Sequence, residues 1–67
     1  MRTDFETLED GARITLFPNE ANPLHKKEQV ATFQSGYFYC DNSDPMDGPD
    51  YYMGDVFQYN NGFELAS

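Results

Sequence analysis

Four aspartates recur at every third position of the segment 41–50; they are Asp41, Asp44, Asp47 and Asp50. Two prolines and a glycine in the same segment disfavour a helix, whereas the polyproline II conformation has three residues per turn and tolerates proline. In that conformation the four carboxylates line one edge at intervals of roughly 9 Å. Such a row can hold a hard cation or face a basic surface on another molecule.

Three interpretations of residues 41–50 are open. The residue types are those of ordinary surface loops, so the segment fits a solvated loop. Calcium takes oxygen ligands, but the EF-hand loop needs ligands at alternate positions and a Glu at the twelfth, which this spacing lacks. The third interpretation is a row of negative charge presented to a basic partner, in imitation of a nucleic-acid backbone. We expect no bound metal and no cofactor.

The distribution of charge favours a basic partner. The chain has 67 residues, 12 of them acidic and 4 basic, for a net charge of −8. All four bases lie within residues 1–27, and residues 28–67 contain seven acidic residues and no Lys or Arg. This field repels phosphates and anionic lipids, so we expect neither direct nucleic-acid binding nor membrane binding. A simpler role of the acidity is to keep a small aromatic-rich protein soluble.

Tyrosines flank the acidic segment on both sides, Tyr37 and Tyr39 before it and Tyr51 and Tyr52 after it. Tyrosine is enriched at interfaces because a large rigid ring ends in a hydroxyl group. Tyr51 and Tyr52 are adjacent, so in an extended segment they point to opposite faces and at most one is buried. The residues predicted to contact a partner are Asp41, Asp44, Asp47, Asp50, Asp55, Tyr51 and Tyr52.

Catalytic chemistry finds little support in the sequence. His25 is the only histidine and lies beside two lysines, as expected of an exposed polar residue. Cys40 is the only cysteine, has no basic residue within ten positions and fits a buried strand residue of a reducing compartment. No phosphate-binding loop or nucleophile elbow occurs, and 67 residues leave little room for a deep pocket. We therefore predict that the protein is not an enzyme.

The N-terminal region has no apolar run of the length needed for a signal core or a membrane span. Acidic residues follow Met1 and Arg2 closely, unlike in a secretory signal. Without such a signal, we expect a cytoplasmic protein. Residues 1–10 fit a short helix or a frayed end, in which Thr3 and Glu6 form a capping box.

The polar–apolar alternation of residues 12–17 predicts a strand with Ile14 and Leu16 on one face. The stretch 18–28 is either a loop or a single helical turn capped by Asn22.

Residues 29–40 predict a β-hairpin in the middle of a sheet. A two-residue turn at 35–36 places Phe33 opposite Phe38, whereas a three-residue turn places Phe33 opposite Tyr37. Both registers are acceptable because the segment is apolar on both faces, which indicates strands covered on each side.

Residues 55–66 predict a second hairpin. A loop at 60–62, with Gly62 in the left-handed conformation, places Phe57 opposite Leu65 and collects the apolar residues on one face.

Residues 1–67 are thus predicted to form a single mainly β domain. We expect a strongly bent antiparallel sheet or open barrel of about five short strands, with at most one short N-terminal helix.

Two functions are compatible with this domain. In the first, it occupies the basic, nucleic-acid-binding surface of another protein as an inhibitor or regulator. In size and acidity it is similar in general character to the nucleic-acid-mimic inhibitors of phages and mobile elements, an analogy of type and not of sequence. In the alternative it is an assembly module, a homodimer or accessory subunit that associates through aromatic strands.

Overall fold

The computed structural model describes residues 1–66, so Ser67, the last residue of the predicted domain, lies outside the described part of the chain. Five antiparallel strands form a curled half-barrel sheet in the order β4-β3-β2-β1-β5. The strands are β1 (Arg13–Pro18), β2 (Gln29–Gln34), β3 (Tyr37–Cys40), β4 (Tyr51–Tyr52) and β5 (Asn60–Leu65). The predicted fold class is therefore confirmed.

In the described residues, helical structure is confined to single turns. Helix α1 covers Val56–Tyr59, and 3₁₀ turns cover Phe5–Thr7 and Pro45–Asp47. Within residues 1–66, no helix has the length and apolar character needed to cross a membrane.

The β2–β3 hairpin adopts the two-residue turn. Ser35 and Gly36 both have positive φ, 51° and 87°, as the hairpin turn that matches strand twist requires. Phe33 consequently lies opposite Phe38, which confirms the first of the two predicted registers. The expectation that both faces are covered is wrong, because Phe38 is fully buried while Tyr37 on the other face is 38% exposed.

The second predicted hairpin is wrong. Residues 56–59 form α1, and β5 pairs with β1 instead of with the preceding segment. Phe63 thereby lies opposite Leu16, and both side chains are buried. Phe57, expected in the core, is 54% exposed. A short apolar run does not distinguish a strand from a helical turn, and the open edge of β1 offers a longer ladder than a self-contained hairpin.

The core lies on one face of the sheet. It consists of Phe5, Ile14, Leu16, Ala31, Phe33, Phe38, Cys40, Tyr51, Val56 and Phe63. The predicted capping box does not form, because Asp4 precedes the first 3₁₀ turn and its backbone carbonyl accepts a hydrogen bond from Thr7 Oγ1 at 2.7 Å. This turn presents Phe5 to the sheet, where its ring contacts Phe38 and Phe63.

Gly62 is required by close approach of the N-terminal segment and not by a left-handed conformation. Arg2 and Phe63 exchange two backbone hydrogen bonds of 2.8 Å, which dock residues 1–4 beside β5. A Cβ atom on Gly62 would lie 2.5 Å from the Arg2 carbonyl oxygen and 2.6 Å from Met1 Cγ.

We therefore expect Gly62→Ala to lower the free energy of unfolding by about 1–3 kcal/mol, the usual cost of overpacking. Urea denaturation followed by circular dichroism measures this change. Gly54→Ala is the matched control, because a Cβ atom there meets nothing within 4 Å. Its effect is expected to stay within about 0.5 kcal/mol. Equal losses for the two variants would contradict the docking of residues 1–4 against β5.

Candidate functional site

The face of the sheet opposite the core carries three tyrosines, which we call the outer tyrosine face: Tyr37, Tyr39 and Tyr52. Successive side chains of β3 alternate between the two faces of the sheet. Tyr37 and Tyr39 therefore lie on the outer face, whereas Phe38 and Cys40 are buried on the core face. Tyr37 pairs with Tyr52 across β3 and β4, and their rings meet edge to face with centroids 5.2 Å apart. Tyr52 is 56% exposed. The face therefore presents paired aromatic rings at the β4 edge of the sheet.

Tyr51 and Tyr52 divide as predicted, with one ring buried and the other exposed. Tyr51 lies opposite Phe38 on the core face and is 3% exposed. Burial raises the pKa of its phenol, so the hydroxyl group stays neutral. Tyr51 is thus a core residue, and Tyr52 is the one available to a partner.

The predicted polyproline II row of carboxylates does not form. Pro45–Asp47 is a 3₁₀ turn, and Asp44 Oδ1 accepts a hydrogen bond from the Met46 amide at 2.9 Å. The turn leaves Asp44 and Asp47 exposed, together with the thioether of Met46. Asp side chains compete well for nearby backbone amides, which favours this local turn over an extended chain.

Asp41 is exposed but electrically paired. The Arg13 guanidinium donates to both carboxylate oxygens, at 2.9 and 2.7 Å, and also to Thr32 Oγ1. The hydrogen bonds from Arg13 to the carboxylate lower the pKa of Asp41. Any group that paired with Asp41 would have to displace or share Arg13.

Asp55 lies directly beside the exposed aromatic pair. Its Oδ1 accepts a hydrogen bond from the Tyr52 backbone amide at 2.9 Å, which holds the carboxylate next to β4. Four of the predicted contact residues are thus exposed or half-buried in the 3₁₀ turn and around β4, namely Asp44, Asp47, Tyr52 and Asp55. With Tyr37, we call this set the acidic tyrosine edge.

Asp50, the fourth member of the predicted row, points into the protein. Its side chain is 5% exposed, and its Oδ2 contacts His25 Nε2 at 2.8 Å and accepts a hydrogen bond from Ser43 Oγ at 2.6 Å. The expectation that His25 is exposed is wrong, because its side chain is only 14% exposed.

Cys40 lies beside this pair. Its Sγ, a ring nitrogen of His25 and an Asp50 carboxylate oxygen all lie within 4.8 Å of one another. Cys40 is buried on β3, as predicted. Burial raises the pKa of the thiol, and the neighbouring Asp50 carboxylate raises it further. This environment favours the protonated thiol over the nucleophilic thiolate.

The sequence contained only partial indications that His25, Cys40 and Asp50 lie close together. Asn22 was a candidate cap, and its Oδ1 accepts hydrogen bonds from the amides of Leu24 and His25, although no helix follows. Asn22 Nδ2 donates to Tyr51 Oη at 2.6 Å, which ties the 18–28 loop to β4. The approach of His25 to Asp50 depends on the β3–β4 pairing, which no periodicity in the sequence indicated.

An open depression lies on the loop side of the sheet. Its volume is about 660 Å³, and it is lined by Pro18, Asn19, Glu20, Ala21, Lys26 and Asn61. Lys26 Nζ donates to the backbone carbonyl of Asn22 at 2.7 Å, so its amine stabilises the loop.

Comparisons with protein-family models, with curated proteins and with solved structures found no match to this chain.

Proposed function

We propose that this protein binds a basic, nucleic-acid-binding surface of another protein and thereby inhibits or regulates that protein. The observation that carries the proposal is the acidic tyrosine edge, where the exposed Tyr37–Tyr52 pair adjoins Asp55. The exposed Asp44 and Asp47 lie in the segment that joins the strands of these two tyrosines. The cytoplasm is the proposed site of action.

Charge and aromatic surface have separate roles in this proposal. Residues 28–67 carry seven carboxylates and no Lys or Arg, so their field attracts a basic surface over long range and speeds association. The rings of Tyr37 and Tyr52 offer rigid faces on which arginine side chains stack. Desolvation of such rings supplies the lasting affinity, because a few aromatic anchors carry most of the binding energy at an interface.

The first experiment is capture of partners on the immobilised full chain at low salt, followed by elution with duplex DNA. A basic nucleic-acid-binding protein displaced by DNA would support the mimic proposal, because both ligands would then compete for one surface. Partners that resist both DNA and high salt would contradict it. In that case, self-association in sedimentation experiments would favour the assembly-module alternative, since apolar contacts are not screened by salt.

The affinity of the captured partner then tests the acidic tyrosine edge directly. We expect Tyr52→Ala to weaken binding on the order of 30-fold, the effect of losing one aromatic hot spot. The double variant Asp44→Asn with Asp47→Asn is expected to weaken it about tenfold and to flatten its dependence on salt.

The matched control changes the same amount of charge elsewhere. Glu20 lies in the loop after β1, and Glu64 lies on β5 at the opposite edge of the sheet from β4. Both are exposed. Glu20→Gln with Glu64→Gln is expected to leave the affinity within about threefold, because distant exposed charges are screened. If both double variants weakened binding equally, net charge and not the acidic tyrosine edge would account for it.

A further inference from the structure

A second candidate site lies inside the molecule, apart from the acidic tyrosine edge. Three separate segments each contribute one side chain to it: His25 from the 18–28 loop, Cys40 from the end of β3, and Asp50 from the residue preceding β4. The imidazole nitrogen, the sulfur and a carboxylate oxygen lie within 4.8 Å of one another. We propose that these three side chains bind one divalent transition-metal ion of the zinc type.

The separations of the three ligand atoms, 2.8 Å between nitrogen and oxygen and at most 4.8 Å overall, bracket those of tetrahedral coordination. Zinc lies about 2.0–2.1 Å from nitrogen, about 2.3 Å from sulfur and about 2.0–2.2 Å from oxygen, so its ligand atoms are roughly 3.3–3.6 Å apart. His25 Nε2 and Asp50 Oδ2 are 2.8 Å apart and hydrogen-bonded. Admitting the ion requires these two atoms to separate by roughly half an ångström. A separation of 4.8 Å has to shorten by roughly 1.2 Å, which side-chain rotation supplies.

The donor set selects the kind of metal. Nitrogen, sulfur and oxygen donors together suit zinc and cobalt, whereas calcium and magnesium take oxygen ligands only. Charge also balances. The ion displaces the thiol proton of Cys40, which passes to solvent. The proton by which His25 Nε2 hydrogen-bonds Asp50 also leaves that nitrogen: by exchange with solvent the neutral ring carries its single proton on Nδ1, which frees Nε2 to ligate. One thiolate and the Asp50 carboxylate then neutralise a divalent cation, as burial of the site requires.

Supporting groups already hold the ligands. Ser43 Oγ donates to Asp50 Oδ2 at 2.6 Å, and Asn22 Oδ1 accepts from the His25 backbone amide at 2.9 Å. Such contacts orient metal ligands and raise affinity. Three protein ligands leave a fourth position for water or a small anion, and the 14% exposure of His25 gives access on its side.

The test is titration of Co²⁺ into the chelator-treated full chain. We expect one equivalent to produce a thiolate-to-cobalt charge-transfer band together with the visible bands of tetrahedral cobalt, and Zn²⁺ to abolish both by competition. Zn²⁺ is also expected to raise the melting temperature, because it binds the folded state. Cys40→Ser is expected to remove the charge-transfer band, and His25→Asn to lower Co²⁺ affinity by about 100-fold or more.

Two further variants separate coordination from folding. Ser43→Ala retains all three ligands and is expected to lower Co²⁺ affinity about 10–100-fold, the usual effect of losing a supporting contact. Glu64→Gln, an exposed carboxylate on β5, is the control and should leave the affinity unchanged. Circular dichroism confirms the fold of each variant. The absence of a charge-transfer band in the wild-type chain, or the same cobalt affinity in folded His25→Asn, would overturn the proposal.

Discussion

Phe5→Ala is expected to lower the free energy of unfolding by about 3–5 kcal/mol, the range for deleting a buried aromatic ring. Phe5 is 2% exposed, and its ring centroid lies 4.8 Å from that of Phe63 and 5.8 Å from that of Phe38. A domain of this size has a total stability of roughly 3–10 kcal/mol. The variant is therefore expected to be largely unfolded at 37 °C, as thermal and urea denaturation followed by circular dichroism would show.

Phe57→Ala is the matched control for this prediction. The Phe57 ring also contacts Phe5, with centroids 5.5 Å apart, but it is 54% exposed on α1. Its removal is expected to cost less than about 1 kcal/mol, because most of the ring is already in water. A loss at Phe57 as large as that at Phe5 would restore the interpretation of residues 55–59 as a core strand and contradict α1.

Asn22→Ala is expected to lower the free energy of unfolding by about 3 kcal/mol or more, although Asn22 is polar. The side chain is completely buried and accepts hydrogen bonds from two backbone amides of the 18–28 loop. Its Nδ2 donates to Tyr51 Oη at 2.6 Å and to the Tyr59 carbonyl at 3.1 Å. Each buried polar group left without a partner costs about 1–3 kcal/mol. Urea denaturation measures the total.

Two variants locate the origin of that loss. Tyr51→Phe removes one partner of Asn22 and is expected to cost about 1 kcal/mol. Asn61→Ala changes an exposed asparagine of β5 and is expected to have an effect within about 0.5 kcal/mol. An Asn22→Ala variant as stable as Asn61→Ala would show that water replaces the Asn22 side chain and that the network does not stabilise the loop.

Local patterns in the sequence were sufficient for part of the fold. Alternation predicted that Ile14 and Leu16 share a buried face, and the Ser35-Gly36 pair was compatible with the turn that sets the β2–β3 register. These features depend on residues close together in the chain, whose geometry follows from side-chain alternation and turn chemistry. Side-chain alternation also explains why Tyr51 is buried and its neighbour Tyr52 is exposed.

The pairing of β5 had no such local signature. Phe57, Tyr59, Phe63 and Leu65 form a reasonable hairpin pattern, yet the structure uses Phe63 against Leu16 and leaves Phe57 and Leu65 exposed. The pairing of β5 with β1 depends on the free edge of β1 and on the packing of Phe5 against Phe63. Both are contacts between residues far apart in sequence.

The candidate sites divide in the same way. Composition alone established the charge asymmetry of the chain, and spacing alone identified the aspartates at 41–50, because both are properties of the linear sequence. Their orientation depends on the folded chain. Asp44 and Asp47, before and at the end of a 3₁₀ turn, are exposed, whereas Asp50 points inward to His25. The physical reason is that a carboxylate is buried only where a partner compensates its desolvation. That partner, His25, is 25 residues away in the chain and reaches Asp50 through the docking of the 18–28 loop.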